Sequence, residues 1–351
     1  MNCNGKNEKT LIKGMCLKEL EDWCIFNNKP PYRAQQLYEW LYSHGIDNVR
    51  KMYNIPNDFK ELINKTAIIS TLELESKVSS SKNETVKYLF KTLDGKLIES
   101  VSMLDDLGRH TVCISSQSGC NVGCDFCATA KMGLIKNLSS GEIVDQLIII
   151  RSISKKRINN IVYMGMGEPF LNYNNVIKSA NIFNNKKGFN VSANKITIST
   201  VGIIPKIIQF IKEKVKYKLA ISLNAPNDQI RDHIIPINKK WPISDLIKVN
   251  KIYTTQYKRK KITFEYVVMD GINSSQNDAI ELARILKSSK CKLNIIPYNE
   301  INGKYKRPNI STINNFIDTL SKYNKNDFQL MVRWSNGLDI DAGCGQLAIS
   351  N

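Results

Sequence analysis

The sequence predicts an α/β protein that carries an N-terminal helical region and a β-hairpin. Three patterns predict this class: helical spacing of apolar residues over 1–75, period-two alternation within 76–112, and a regular succession of strands and helices over 113–351. A chain of 351 residues is long enough for two domains, or for one large domain with an appendage. We therefore expect a helical accessory domain, a hairpin connector and an α/β domain over these three ranges.

Two amphipathic helices are predicted in the N-terminal region. The first ends at Pro30 and Pro31, because proline lacks a backbone N–H and disfavours helix in the residue before it, and the second begins after them. Charged and amide side chains separate the apolar positions in both. The apolar stripes are Leu17, Leu20 and Cys24 in the first helix, and Ala34, Leu37, Trp40 and Leu41 in the second.

The connector is predicted to form a hairpin. Residues 85–91 and 96–101 have the period-two pattern of strands, and Asp94 and Gly95 lie between them. An Asp-Gly pair suits a tight hairpin turn, because glycine accepts the positive φ that such a turn requires. The two segments are therefore expected to pair as antiparallel strands.

Six strands with helices between them are predicted after residue 110. A capping box at Ser139 and Glu142 starts a helix over 141–153, and another helix is predicted over 277–287. Six parallel βα units fit either a doubly wound sheet or an incomplete barrel, and both bind ligands at the carboxyl ends of the strands. The predicted strands are 111–117, 160–166, 195–200, 217–223, 261–269 and 292–297, followed by a further strand at 328–333.

The chain is strongly basic, with 50 Lys and Arg against 32 Asp and Glu and a net charge of +18. This excess favours a nucleic-acid partner, although lysine-rich composition is also a background bias of some genomes. No run reaches about 18 apolar residues, and residues 1–6 lack an apolar signal segment, so we expect a cytosolic protein with no membrane partner. The basic clusters are 155–157, 186–187, 239–240, 258–261 and 304–307.

Nine cysteines in a reducing compartment favour metal or redox chemistry over structural disulfides. Cys120, Cys124 and Cys127 form a C-x3-C-x2-C run after the first strand of the α/β region, and three thiolates in one loop suit a 4Fe-4S cluster with an open fourth iron. The alternative is a zinc ion with Cys113 or His110 as fourth ligand. Four other cysteines show no ligand spacing, namely Cys3, Cys16, Cys24 and Cys291.

The cysteine run resembles that of the radical S-adenosylmethionine (SAM) superfamily, whose open iron binds the amino and carboxylate groups of SAM. The segments 111–120, 164–169 and 339–347 together resemble the adenine-C2 methyltransferase family of 23S rRNA and tRNA, and the likeness covers nearly the whole chain. For this family the resemblance implies an incomplete (βα)6 radical-SAM barrel with an N-terminal helical accessory domain. It also implies a 4Fe-4S cluster and two SAM molecules per turnover.

Glycine and polar residues at strand ends are the candidates for SAM binding. Gly167 lets the backbone approach a ligand closely, and the Glu168 carboxylate can accept hydrogen bonds from the ammonium of SAM. Groups at the ends of strands three, four and six can bind the ribose, carboxylate or adenine of SAM. At the position of Asn224, which ends the run Ser222-Leu223-Asn224 after the fourth strand, members of the family commonly have histidine. This chain therefore lacks an imidazole at that position. The strand-end candidates are Ser199, Ser222, Leu223, Asn224 and Asn299.

The resemblance assigns chemistry to two cysteines outside the run. It implies that Cys344 is methylated by one SAM, and that a 5′-deoxyadenosyl radical from a second SAM takes hydrogen from this methyl, which then adds to carbon 2 of adenine. Cys113 then attacks the sulfur of Cys344, which releases the RNA and leaves a transient disulfide. Glu99 matches the family's proton acceptor. Gly343 and Gly345 favour a mobile loop around Cys344.

The implied substrates are 23S rRNA, at the peptidyl-transferase-centre adenine, and tRNA, at the adenine 3′ of the anticodon. An external electron donor such as flavodoxin or ferredoxin is implied as well, and we expect a monomer. One alternative is the sister adenine-C8 methyltransferase, although Pro169 and residues 170–172 resemble the C2 branch more closely. The other is a non-catalytic, zinc-stabilised RNA-binding protein, which would leave Cys113 and Cys344 without a role.

Overall fold

The computed structural model describes residues 9–301 and 303–349. Residues 1–8, which include Cys3 and the N-terminus expected to lack a signal segment, lie outside the described residues. None of the described helices is both long and apolar enough to cross a membrane.

The N-terminal region is helical and contains a short two-stranded sheet. Both predicted helices are confirmed, with Leu20, Cys24, Ala34 and Leu37 buried on their inner faces. A π-helical turn over Glu39–His44 extends the second helix. The elements are β1 (Thr10–Leu11), α1 (Leu17–Phe26), α2 (Tyr32–Tyr38), α3 (Asn57–Thr66) and β2 (Ala67–Ile68), and β1 pairs with β2 in parallel.

The predicted hairpin is confirmed, and it belongs to a larger antiparallel unit. The Gly95 N–H donates to the Thr92 carbonyl over 2.8 Å, and Gly95 has a φ of +77°. The strands on either side continue the main sheet of the molecule, so the hairpin is its antiparallel end. These strands are β3 (Leu72–Ser79), β4 (Thr85–Thr92), β5 (Leu97–Leu104) and β6 (His110–Cys113).

Strands and helices alternate through the rest of the chain, as predicted. The first of these elements are β7 (Gln117–Cys120), α4 (Ala128–Lys131), β8 (Gly133–Asn137), α5 (Ser140–Ser154), β9 (Asn160–Tyr163), α6 (Tyr173–Asn184), β10 (Ile196–Thr200) and α7 (Ile204–Lys212). They are followed by β11 (Lys218–Ser222), α8 (Asp228–Ile234), α9 (Ile243–Gln256), β12 (Thr263–Val268), α10 (Gln276–Ile285), β13 (Lys292–Pro297), α11 (Ile310–Tyr323) and β14 (Gln329–Val332).

The strand order distinguishes a barrel from a doubly wound sheet. The ten-stranded sheet has the order β14-β13-β12-β11-β10-β9-β6-β5-β4-β3, and its strands from β6 to β14 are parallel. A doubly wound sheet reverses its order at a switch point, whereas this order follows the chain without reversal. Because β14 and β3 are separate edges of the sheet, the architecture is the predicted incomplete barrel.

The first predicted strand of the barrel, 111–117, is two strands in the structure. β6 stays in the main sheet, whereas β7 leaves it and pairs with β8 in a separate antiparallel sheet. Gly119 permits this pairing: its φ is +72°, and a Cβ there would lie 1.9 Å from the Gly133 carbonyl oxygen. The departure of β7 carries the cysteine run away from the main sheet.

The segment after β14 returns to the antiparallel end of the sheet. Its Asp339 carboxylate accepts hydrogen bonds from the Ser80 hydroxyl over 2.8 Å and from the Ser81 N–H over 2.9 Å. Farther along, the Gly345 carbonyl accepts from the Ala128 N–H over 2.8 Å. The segment that carries Cys344 is therefore attached both to the β3–β4 hairpin and to the loop of the cysteine run.

Candidate active site

A cavity of about 170 Å³ opens at the carboxyl ends of strands β9 to β13, and we call it the cluster cavity. This is the end at which a parallel barrel places its ligands. Most of the predicted cofactor and cluster residues line it together with Cys344. They are Cys120, Cys124, Cys127, Gly167, Glu168, Ser199, Ser222 and Asn224.

The three cysteines of the run reach the cluster cavity from different local structures. Cys120 ends β7, and Cys127 precedes α4 and donates its N–H to the Cys124 carbonyl over 3.1 Å. Burial raises the pKa of the Cys120 thiol to about 11. Burial, with the charges of the other two thiols, raises the pKa of Cys124 well above its ordinary value. Burial therefore disfavours the thiolate forms of Cys120 and Cys124, and a cation bound among the cysteines would favour them.

Three cysteine thiolates in one loop are the donor set of a 4Fe-4S cluster whose fourth iron has no protein ligand, whereas a structural zinc ion needs four ligands. The proposed fourth zinc ligands also lie elsewhere. His110 begins β6 and bonds to Ser102 over 2.6 Å, and Cys113 lines a different cavity.

Glu168 is buried in the wall of the cluster cavity and is held by backbone groups. Its carboxylate accepts from the N–H of Phe170 over 2.9 Å and from that of Val201 over 2.8 Å. Burial outweighs these bonds and raises the pKa of the carboxyl to about 7. Gly167 beside it has a φ of +94°, and a Cβ there would lie 2.4 Å from the Gln117 Cβ. A ligand ammonium would offset the cost of burying the carboxylate, which is the role predicted for Glu168.

Ser199, Ser222 and Asn224 lie where β10 and β11 end, and all three line the cluster cavity. Asn224 has a φ of +57°, a conformation that asparagine tolerates better than most residues do. Its Oδ1 accepts from the Val267 N–H over 2.9 Å. This side chain therefore fixes the turn after β11 against the neighbouring strand.

Leu223 and Asn299 do not line the cluster cavity. The Leu223 side chain is buried, its N–H donates to the Glu265 carbonyl over 2.9 Å, and its carbonyl accepts from Arg231 Nε over 2.9 Å. Both backbone groups of Leu223 are thus already paired within the protein. Asn299 donates to the Cys344 carbonyl over 3.1 Å, which connects it with the loop of Cys344.

A second cavity, of about 280 Å³, contains both outer cysteines in its wall, and we call it the Cys113 cavity. Cys344 also lines the cluster cavity, so its side chain borders both spaces. The wall that the cavities share is formed by Met164, Arg333, Cys344 and Leu347. A thiol at this position is accessible from both cavities.

The two outer cysteines have different surroundings. Cys113 lies in β6, paired with Val101 on one side and Val162 on the other. Burial, assisted by the charge of Cys344, raises the pKa of Cys113 to about 12. Cys344 lies in a loop and is half-buried, and its sulfur accepts a hydrogen bond from Arg333 Nη2 over 3.0 Å. Both are free thiols.

Glu99 is buried in β5 but lines neither of these cavities. Its Oε1 lies 3.4 Å from Lys87 Nζ, and its Oε2 has no hydrogen-bond partner in the part of the chain that the structure describes. Burial raises the pKa of the Glu99 carboxyl. Lys87 and the backbone of Ala348 act in the opposite direction and lower this pKa. Glu99 therefore adjoins the end of the Cys344 segment.

Three charged residues of the site were not predicted, namely Arg231, Glu265 and Arg333. Arg231 donates to the carbonyls of Val201 over 2.7 Å and Ser222 over 3.0 Å, which ties the ends of β10 and β11 together. Glu265 and Arg333 line the cluster cavity. A signal for both exists in the sequence, because Glu265 interrupts an apolar strand and Arg333 stands at the carboxyl end of one.

The topology separates the basic clusters between the two ends of the barrel. Cluster 304–307 follows β13, and 239–240 follows α8, whose Ile234 carbonyl accepts from the Asp125 N–H of the cysteine run over 3.0 Å. Both therefore lie at the cavity end. Three clusters instead precede strands and lie at the opposite end, namely 155–157 before β9, 186–187 before β10 and 258–261 before β12.

Known proteins resemble this chain over nearly its whole length. Residues 114–283 match the radical SAM superfamily, and residues 11–69 match the ribosomal RNA large subunit methyltransferase N-terminal domain. The probable dual-specificity RNA methyltransferase RlmN of Caldicellulosiruptor saccharolyticus is 40% identical, covering 97% of each chain. That of Oceanobacillus iheyensis is 38% identical, covering 97% of this chain and 96% of the relative. The chain belongs to the RlmN family.

A solved structure agrees with membership of the RlmN family. A radical SAM methyltransferase from Sphaerobacter thermophilus superposes with a TM-score of 0.90 at 38% identity, covering 96% of this chain and 98% of that chain. The radical SAM superfamily implies a 4Fe-4S cluster and SAM, and the cysteine run and strand-end residues of the cluster cavity fit both. The protein is therefore a radical SAM RNA methyltransferase, and not the non-catalytic, zinc-stabilised RNA-binding protein of the alternative.

Proposed function

We propose that the protein adds a methyl group to carbon 2 of adenine, at the peptidyl-transferase-centre adenine of 23S rRNA and at the adenine 3′ of the anticodon in tRNA. The observation that carries this proposal is the position of Cys344, which borders both the cluster cavity and the Cys113 cavity. A thiol so placed can accept a methyl group on one side and transfer it on the other. The name shared by the relatives, dual-specificity RNA methyltransferase, supports RNA as the substrate.

In the cluster cavity, Cys120, Cys124 and Cys127 would hold the 4Fe-4S cluster, and Glu168 would accept hydrogen bonds from the ammonium of SAM. The serines at the ends of β10 and β11 would bind other polar groups of SAM. When bound, the cluster and two SAM molecules supply a methyl group and, after one-electron reduction, a radical that takes hydrogen from a methyl carbon. An external carrier such as flavodoxin or ferredoxin would deliver the electron.

Cys344 is the proposed methyl carrier. A carrier is needed because carbon 2 of adenine is electron-poor, so that direct electrophilic methylation there is unfavourable. The Cys344 thiolate takes the methyl group from a sulfonium, and a new carbon–sulfur bond forms as the old one breaks. Asn299 holds the carbonyl of Cys344, and Ala128 holds that of Gly345, which keeps the sulfur at the shared wall.

The Cys113 cavity is the proposed site of the target base. Its wall offers the polar side chains of Thr111, Asn160 and Asn336 and the aromatic ring of Trp334. An adenine must be unstacked to enter such a cavity, which favours loops and single-stranded segments of folded RNA. The two basic clusters at the cavity end of the barrel would neutralise phosphates around the entrance.

Cys113 is the proposed resolving thiol. Bonding of the methyl-derived carbon radical to carbon 2 of adenine joins the RNA through that carbon to Cys344. The unpaired electron that remains would return to the cluster, and the proton on carbon 2 would pass to Glu99. Attack by the Cys113 thiolate on the Cys344 sulfur forms a disulfide and breaks the sulfur–carbon bond, whose electron pair stays on the carbon and takes up a proton. Exchange with an external dithiol, which is oxidised to its own disulfide, then restores both thiols. Glu99 stays the proposed acceptor of the carbon-2 proton, supported by its buried Oε2, which has no hydrogen-bond partner among the described residues.

Product analysis tests this function. The protein is reconstituted anaerobically and incubated with 23S rRNA fragments or tRNA, an electron donor and SAM with a deuterated methyl group. Nucleosides are then separated and identified by mass spectrometry, and RNA with guanine at the target position is the control. We expect 2-methyladenosine from both RNAs. Formation of 8-methyladenosine would establish the sister activity, and the absence of any methylated nucleoside would contradict both.

A further inference from the structure

Arg333 touches the sulfur of Cys344 in the wall shared by the two cavities. Its backbone follows β14 and donates to the Ile295 carbonyl over 2.8 Å, which fixes where the side chain begins. Its Nη2 lies 3.0 Å from Cys344 Sγ and 3.9 Å from Glu265 Oε2, and its Nη1 lies 3.8 Å from Met164 Sδ. One guanidinium thus lies between a thiol and a carboxylate.

Glu265 is itself fixed in place. It lies in β12 opposite Asn294 of β13, whose Nδ2 donates to Glu265 Oε2 over 2.8 Å. Burial raises the pKa of the Glu265 carboxyl, whereas Arg333 and Asn294 lower it. Burial alone would lower the pKa of the Arg333 guanidinium. The charges of Cys344 and Glu265 outweigh burial, so the pKa lies above its ordinary value. Arg333 therefore stays a cation at the shared wall.

We infer that Arg333 is the positioning residue of Cys344: its guanidinium donates a charge-assisted hydrogen bond to the sulfur and holds it where both cavities meet. The inference rests on the proposed function of Cys344 as methyl acceptor. A thiolate is the nucleophilic form of cysteine and a stronger acceptor than a neutral thiol. A methylated sulfur is only a weak acceptor, so the same bond weakens once the methyl group has been received.

Alkylation of Cys344 measures this effect without RNA and without turnover. The holoprotein, with its cluster bound and SAM removed, is treated anaerobically with iodoacetamide at pH 7.5, and the unmodified Cys344 peptide is followed by mass spectrometry. Arg333→Met should slow the alkylation about tenfold, because it removes a charge-assisted hydrogen bond. Arg333→Lys keeps a cation and should remain within about threefold of the unaltered protein.

Arg284→Met is the control, because Arg284 is exposed on α10 and lines neither cavity. It should change the alkylation rate less than about twofold.

If Arg333→Met fails to fold, Arg333→Gln, which keeps a hydrogen-bond donor without the charge, takes its place with the same expected loss of alkylation rate. An unchanged rate in the neutral variant, or an equal loss in the lysine and neutral variants, overturns the inference. Failure of RNA methylation would leave this result standing.

Discussion

Cys113 and Cys344 border the same cavity but are held by opposite kinds of structure. Cys113 is part of the ten-stranded sheet, and its burial raises the pKa of the thiol to about 12. Cys344 lies in a loop beyond the last strand, next to a guanidinium and in contact with two cavities. Two identical side chains thus have different surroundings. In the proposed function the loop cysteine reacts first and the sheet cysteine afterwards.

Removing each cysteine in turn should produce the largest effect. Cys344→Ala removes the methyl carrier, so we expect an intact cluster with neither methylated RNA nor an RNA adduct. Cys113→Ala leaves the carrier but no resolving thiolate, so RNA should accumulate covalently on Cys344. A denaturing gel detects this adduct as a slow band that RNase collapses.

Two further variants complete that comparison. The double variant should lose the slow band, since no carrier remains to form it. Cys16→Ala, which removes a half-buried cysteine of the N-terminal region, should methylate RNA as the unaltered protein does. Normal turnover by Cys113→Ala, or methylation by Cys344→Ala, would contradict the two-cysteine mechanism.

The reactivity of the two thiols should differ by about a hundredfold or more in the native holoprotein at pH 8. Because burial raises the pKa of Cys113 to about 12, its thiolate fraction should rise about tenfold per pH unit from pH 7 to 10, without a plateau. Iodoacetamide labelling followed by peptide mass spectrometry measures both cysteines in one sample. In denaturant the alkylation rates of the two cysteines should converge. Equal alkylation rates in the native protein would contradict the expected difference between Cys113 and Cys344.

Charge reversal should show from which end RNA approaches these cysteines. Replacing Lys306 and Arg307 by glutamate, at the cavity end, should weaken rRNA binding about tenfold and lower its salt dependence. The matched change at Lys258 and Arg259, at the opposite end, alters the net charge equally and should weaken binding less than about twofold. Binding to labelled rRNA fragments over a range of salt concentrations measures both. Equal losses of rRNA affinity in the two variants would indicate that binding depends on the net charge of the protein alone.

Loosening the Cys344 segment should have the smallest effect. Asp339→Ala removes the acceptor that joins this segment to Ser80 and Ser81. Methylation of Cys344 by SAM should slow about two- to threefold, while alkylation of Cys113 stays unchanged, because β6 does not depend on this anchor. Asp318→Ala, on the exposed face of α11, is the control. A parallel change at Cys113 would indicate general loosening of the fold.

Sequence patterns predicted the order of the elements and many of the residues that line the cluster cavity. Period-two alternation around Asp94 and Gly95 located the hairpin, and the strands from β9 to β14 lie within their predicted ranges. The spacing of Cys120, Cys124 and Cys127 predicted residues that line one cavity. These features are local, because hydrogen-bond periodicity, turn conformation and ligand spacing depend on residues that are neighbours along the chain.

Contacts between residues that are far apart in the chain could not be predicted in this way. In the tertiary structure β7 lies outside the main sheet, Leu223 does not line the cluster cavity, and Asn299 contacts the Cys344 loop. The basic clusters lie at two different ends of the barrel. The tertiary structure also brings Arg333 to the sulfur of Cys344 and places that sulfur between two cavities. This is because a cavity wall consists of segments that are far apart in sequence. Their approach depends on strand order and on side-chain packing, and no local sequence pattern specifies strand order or packing.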